Sequence, residues 1–331
     1  MAVTMAEISK LRQMTGAGMM DCKKALTEAE NDMDKAIEIL RKKGQAVAAK
    51  REDRNAAEGC VLGQSVGEYA AVVALNCETD FVAKNAGFVG LTKSILAAAV
   101  EAKAKSIEDV KGLEINGQKI ADLIVEESGK TGEKMELGAF EYVEAPATIA
   151  YNHFGNKLAT LVAFNKAGIA EQVYKNVAMQ VAAMNPLAVD ECNVSEEVKE
   201  KEIAVAIEKT KAEQVQKAVD AALKKAGINP AHVDSEDHME SNKAKGWLTE
   251  EDVVKAKEII ATVSAEKAAN LPEAMIQNIA KGRLGKFLKE VCLLNQDDVT
   301  SEDKKSVRET LKAIDPELNV VSFKRVNLNV D

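Results

Sequence analysis

Apolar residues recur at helical spacing through the first fifty positions. Ile8, Leu11 and Met14 share one face of a first segment, and Cys22, Ala25, Leu26 and Ala29 of a second, from about Met19 to Glu30. Met33, Ala36, Ile37 and Leu40 do so in a third. Gly16-Ala17-Gly18 separates the first two, and Asp32 is placed to cap the third. The basic turn Arg41-Lys42-Lys43 suits a helix C-terminus, with Gly44 as the residue beyond it. Three helices this short make a marginal core, which must lean on a partner or on the rest of the chain. The polar, basic stretch Gln45–Asn55 reads as a linker.

From Cys60 the period changes. CVLGQSVGEYAAVVALNCET reads as two strands turning at Val66-Gly67-Glu68. A helical stretch follows from about Asp80 to Ala104, then a polar region, then strand character in KMELGAFEYVEA. ATIAYNHFGNKLATLVAFN predicts a second hairpin, turning at Gly155-Asn156. A helix from Ala170 to about Met184 is stopped by Pro186.

Residues 195–226 are nearly all helix formers, ended by Gly227 and Pro230. Residues 229–246 look like a polar loop, and Thr249 with Asp252 makes a capping pair for a helix reaching about Asn270. Pro272 fits the first turn of another. Two long helices joined by a polar loop predict a projecting helical hairpin. A last helix, Ser301 to Ile314, precedes the strand VVSFKRVNLNV. That strand needs a sheet, and only the earlier α+β region offers one, so the hairpin is an insertion.

Composition narrows the picture. Of 331 residues, 46% are apolar, 29% charged and only 4% aromatic, a globular and helix-favouring balance. The net charge of −9 is opposite in sign to that of a chain that grips nucleic acid. No apolar run approaches the roughly 20 residues of a membrane span. MAVTMAEISKLRQ lacks the basic start and apolar stretch of a signal peptide, and five scattered cysteines read as free thiols, so a cytoplasmic setting is expected.

Catalytic signatures are missing. No phosphate-cradling G-x-x-x-x-G-K-[ST] is present, and Gly16-x-Gly18 lies between helices rather than after a strand. His232 and His238, among Asp234, Glu236 and Asp237, could hold a metal weakly, but the favoured reading is a solvated acidic loop without zinc-like spacing. No nucleophile elbow or Cys/His pairing appears. A binding protein without cofactor or metal is expected, not an enzyme.

Two segments stand out. At Thr79-Asp80-Phe81-Val82-Ala83-Lys84-Asn85 a strand ends and a helix begins, with Thr79 or Asp80 as cap. Periodicity favours Phe81 packing onto its own sheet; the alternative is an aromatic displayed beside a carboxylate as an interface anchor. In Thr15-Gly16-Ala17-Gly18-Met19-Met20-Asp21-Cys22-Lys23, two adjacent methionines cannot both enter one small core. Either Met19 caps that core and Met20 is incidental, or an exposed thioether serves a partner.

TGAGMMDCKKAL, then NCETDFVAKNAGF, then AMQVAAMNP, in this order and separation, resemble bacterial elongation factor Ts. The likeness covers roughly residues 5–190 and returns from about Lys281 to Val326. It implies an α+β fold in which residues 1–54 form a three-helix, ubiquitin-associated-like domain. Residues 55–140, and 141–187 with 288–331, would form two core subdomains with antiparallel sheets. Residues 188–287 would form the inserted helical, coiled-coil or dimerisation module. The segment around 210–270 is longer than usual in the family, and no C-terminal helical module follows the last strand.

The resemblance also implies a function: guanine-nucleotide exchange on the GTPase elongation factor Tu during translation elongation. Thr79, Asp80, Phe81 and Val82 match the segment that displaces the GTPase's magnesium, with Phe81 as the wedge. Met19, Met20 and Lys23 match partner contacts of the N-terminal module. Gly132 in TGEKMEL and His153 in YNHFG match core contacts with the GTPase's third domain. No direct nucleic-acid or membrane partner is implied. The arm reads as a solvated hairpin, with a homodimer or ribosome contact as alternatives. Two rival readings are an adaptor for a ubiquitin-like protein, which does not need TDFVAKN, and a metal-dependent enzyme at His232 and His238, which chelation and His→Ala variants would test.

Overall fold

A computed structural model describes residues 3–51 and 53–329. Three helices come first: α1 (Met5–Thr15), α2 (Met19–Glu28) and α3 (Met33–Ala49). Thr4 and Glu7 cap α1 reciprocally, the Glu7 carboxylate accepting the Thr4 N–H at 2.8 Å. Asp32 accepts the Lys35 N–H at 3.0 Å, so it caps α3. The small core joins Ile8, Leu11, Cys22, Ala25, Leu26, Ala29 and Ala36. Met14 is not in it. Thr15, four residues past Leu11, takes the inward position, with its hydroxyl donating to the Leu11 carbonyl at 2.8 Å. Nor does Gly44 end α3, which runs on through Ala49 into the expected linker.

The strands β1 (Glu58–Val66) and β2 (Tyr69–Cys77) form the first hairpin. The stretch expected as one helix is two, α4 (Asp80–Ala83) and α5 (Ala86–Glu101), because Asn85 turns the chain and accepts the Gly87 N–H at 2.8 Å. The polar region beyond is structured: α6 (Ile107–Gly112), β3 (Glu114–Ile115), β4 (Gln118–Lys119) and α7 (Ile120–Thr131). Then come β5 (Glu136–Glu144), β6 (Ala147–Asn152), β7 (Leu158–Phe164) and α8 (Glu171–Met184).

Two antiparallel three-stranded sheets result, in the orders β1-β2-β5 and β6-β7 with a final strand β8 (Val320–Asn327). The fold is α+β. Strand β2 is buried on both faces. Tyr69, Ala71, Val73, Leu75 and Cys77 point to a core shared with Ile95 and Leu96 of α5 and with Ile120 and Ile124 of α7. Ala70, Val72 and Ala74 point to a second core with Ala159, Leu161 and Ala163 of β7. Helix α8 covers the outer face of β7, where Phe164 and Tyr174 have ring centroids 4.5 Å apart. The last helix, α13 (Val307–Ile314), starts later than expected because Ser306, not Ser301, makes the capping box.

The chain divides into two compact units, residues 1–189 with 296–331, and residues 190–295. The second holds α9 (Glu196–Lys225), α10 (Glu236–Ala244), α11 (Glu250–Ala269) and α12 (Glu273–Val291). The helix expected at Pro272 is α12, and both α11 and α12 pack along α9, so the arm is three long helices rather than a two-helix hairpin. The stretch 229–246 is not a solvated loop. Val233, Met239 and Leu248 bury with Val219, Leu223, Ile228 and Ala256 in a core of the unit's own. Asn295 donates to Glu191 at 2.7 Å, which closes the unit where the chain enters and leaves it.

Candidate functional site

Thr79, just beyond the end of β2, has extended backbone (φ −124°, ψ 152°), and its hydroxyl accepts the Val82 N–H at 3.4 Å as the cap of α4. In this single turn Ala83 is the buried residue and Val82 packs partly against the core. Phe81 is left pointing away and is 84% exposed. The packing that periodicity favoured does not occur, because four residues give one inward position and Ala83 takes it. Asp80 is paired with Lys84 at 2.7 Å, and this bond holds its carboxyl below the usual range.

The corner is fastened to the end of α7 by two carboxylates that reach across in opposite directions. Glu133 accepts the Thr79 N–H at 3.0 Å on one oxygen and the Thr79 hydroxyl at 2.6 Å on the other. Glu78 accepts the Lys134 N–H at 2.6 Å. It also pairs with Arg51 at 3.3 Å and Arg54 at 3.0 Å from the segment that follows α3. The Lys134 N–H and these guanidiniums outweigh burial and hold the Glu78 carboxyl below its ordinary value. Gly132 caps α7 in the left-handed region (φ 72°), which lets the chain reverse directly into Glu133.

The turn of the β6–β7 hairpin is tied to the first sheet near the same end. Asn152 bonds both backbone groups of Gly63, at 2.6 and 2.9 Å, and the Val61 N–H donates to the Asn156 carbonyl at 2.7 Å. Lys157 pairs at 2.7 Å with Glu58, the residue that faces Cys77 across the ladder. Lys157 is also close enough to help lower the Asp80 carboxyl. His153 is exposed in this turn, with its Nδ1 3.0 Å from the Tyr151 hydroxyl. Beside it Phe154 is 97% exposed, a residue the sequence reading missed. Its signal was an aromatic one position before a turn glycine, where no core lies within reach.

Met19, Met20 and Lys23 lie on α2, and none enters the small core; Met19 is 44% and Met20 64% exposed. The two methionines therefore both face outward, while Asp21 between Met20 and Cys22 pairs with Lys43 of α3. The structure thus gathers Thr79, Asp80, Phe81, Val82 and Gly132 at one corner, ties the His153 turn close by, and keeps Met19, Met20 and Lys23 on the helical module. His232 stacks on Trp247 with ring centroids 5.3 Å apart, and His238 bonds Asp234. Among the described residues no three His, Cys, Asp or Glu side chains cluster as a metal site would. No helix of the described residues is long and apolar enough to cross a membrane.

The model of a family described as elongation factor TS matches residues 78–329. An elongation factor Ts from Bacteroides thetaiotaomicron is 68% identical over 332 residues, spanning 100% of both chains. Those from Parabacteroides distasonis and Porphyromonas gingivalis are 66% and 43% identical, also over full length.

Proposed function

The chain belongs to the elongation factor Ts family of translation elongation factors, and from that premise we propose that it is the guanine-nucleotide exchange factor for elongation factor Tu in the cytoplasm. It does so without covalent chemistry and without a cofactor of its own. The observation that carries the reading is Phe81. An apolar side chain left this exposed forgoes about 1.5–3 kcal/mol of burial, which a partner's pocket would return. It stands on a corner held rigid by Glu78 and Glu133, in the segment that matches the family's magnesium-displacing motif.

In this reading Phe81 wedges into the GTPase's nucleotide domain with Asp80 beside it, and the shell around the bound magnesium is disturbed. That ion is among the largest charges holding the diphosphate, so its displacement loosens GDP. Linkage makes the effect reciprocal: the factor by which the exchange factor weakens GDP is the factor by which GDP weakens it. Met19, Met20 and Lys23 would contact the GTPase from the helical module, and Gly132 and His153 would face its third domain. The residues divide the labour as residues 1–54 for docking, the two core subdomains for exchange, and the arm as a separate unit.

Stopped-flow release of labelled GDP tests it. Unaltered chain should accelerate release from the cognate GTPase, and Phe81→Ala should slow it while leaving the fold intact. Equal rates for the two proteins would sink the wedge assignment.

A further inference from the structure

Thr79 meets two demands through one neighbour. Its hydroxyl has a single hydrogen, which goes to Glu133, and that commitment turns the oxygen's lone pairs toward the Val82 N–H. Its backbone N–H, beyond the last ladder pair of β2 at Cys77, goes to the other Glu133 oxygen. One carboxylate therefore sets both the rotamer and the backbone direction of the residue that caps α4. A helix of one turn has no cooperative stability with which to hold a direction of its own. Phe81 is the second residue of that turn, so its aim depends on Thr79.

Glu133 is not placed for contact with a partner in the way Phe81 is. It is half-buried, its carboxylate is spent on Thr79, and its carbonyl accepts the Ser128 hydroxyl. Charged acceptors give the stronger hydrogen bonds, and here both oxygens of one group serve one residue. The Glu78 carboxylate answers from the other side by holding the Lys134 N–H, so neither segment can slide past the other.

We propose that Glu133 is a positioning residue for exchange, holding Thr79 so that Phe81 is presented as a fixed wedge. The proposal rests on the exchange reading above and adds a residue to it. Glu133→Gln keeps one oxygen but turns an amide NH2 toward one of the two Thr79 donors, so one bond becomes a repulsion. The maximal rate of GDP release should fall about tenfold, the effect of losing one charge-assisted bond. The concentration of factor giving half that rate should stay the same, because Met19, Met20 and Lys23 are untouched. Thr79→Val should reproduce the loss of maximal rate, and Thr79→Ser should restore nearly the full rate.

The test is titration of labelled-GDP release against factor concentration for these variants, with amide exchange of the 78–82 segment measured alongside. Loss of protection at Thr79 together with a lower maximal rate supports the proposal. Loss of protection with an unchanged maximal rate overturns it. So does a raised half-maximal concentration at full maximal rate, which would make Glu133 a direct contact. Failure of the unaltered chain to release GDP would remove the exchange reading itself, and the proposal with it.

Discussion

Gly129 of α7 meets Gly44 of α3 backbone to backbone. A Cβ built on Gly129 would lie 2.5 Å from the Gly44 Cα, nearer than atoms pack. The crossing holds the three-helix module against the core, with Arg41 and Asp122 paired at 3.0 Å on the same two helices. A cavity of ≈ 150 Å³ remains beside it, lined by residues that include Gly18, Leu40, Gln118 and Lys130.

The two glycines should respond oppositely to alanine. A Cβ on Gly44 would sit 3.6 Å from the Gly129 Cα, an ordinary contact, so Gly44→Ala should stabilise α3 by up to about 1 kcal/mol through helix propensity. Gly129→Ala forces the helices apart and should cost about 1–3 kcal/mol, less that same propensity gain. Urea unfolding of both variants checks the sign. Amide exchange in α1–α3 should rise only for Gly129→Ala.

Phe81→Ala and Phe154→Ala should each change stability by no more than about 0.5 kcal/mol, because neither ring is packed. Their effects on exchange should differ in kind. Loss of the wedge should lower the maximal rate of GDP release, whereas loss of Phe154, exposed beside the proposed contact His153, should raise the concentration of factor needed to reach it. A thermal melt and a rate titration on each variant separate these outcomes.

Acid should loosen the corner before it unfolds the core. Glu78 has its carboxyl held below the ordinary value, so it contributes stability above the unfolded-state pKa of about 4.3. That contribution is lost as pH falls through the lowered folded value. The stability difference between the unaltered chain and Glu78→Gln should be full at pH 7 and shrink toward zero in the acid range. Urea midpoints of both proteins across pH measure it.

Thiol chemistry should single out one cysteine of five. Burial, reinforced by the Glu133 carboxylate, pushes the Cys77 thiol up to about 12, and burial raises Cys60. Cys22 and Cys292 are buried, and Cys192 is exposed. A disulfide reagent near pH 8 should therefore modify one equivalent quickly in the folded chain and all five in denaturant. Cys192→Ser should abolish the fast equivalent.

Much of this architecture was legible in the residues, and what was not had tertiary causes. The two hairpins announced themselves through apolar runs and glycine turns. The unbroken run Tyr69–Leu75 showed a strand but not its faces, because both faces of β2 are covered and no alternation survives. Helix α7 went unread because Leu123-Ile124-Val125 is a continuous apolar run without helical spacing and the third inward position is the polar Ser128, yet it carries Gly129 and leads directly into Glu133. Gly44 looked like a stop signal, since nothing local distinguishes a glycine that ends a helix from one that admits another backbone. At the site, the motif located the corner, while the exposure of Phe81 depended on which residue of a single turn faces inward. The clasp joins residues 54 and 56 positions apart, beyond any local pattern.

Strand β8 completes the sheet on β7, yet residues 190–295 intervene between α8 and the re-entry that leads to it. A ribosome therefore delivers the whole arm before the sheet can close. Through that interval β7, whose every side chain ends up buried, has β6 on one edge and no strand on the other. An open edge of this kind invites pairing with other chains. The arm, with a core of its own, is free to fold meanwhile, and the finished sheet waits on the last strand to be made.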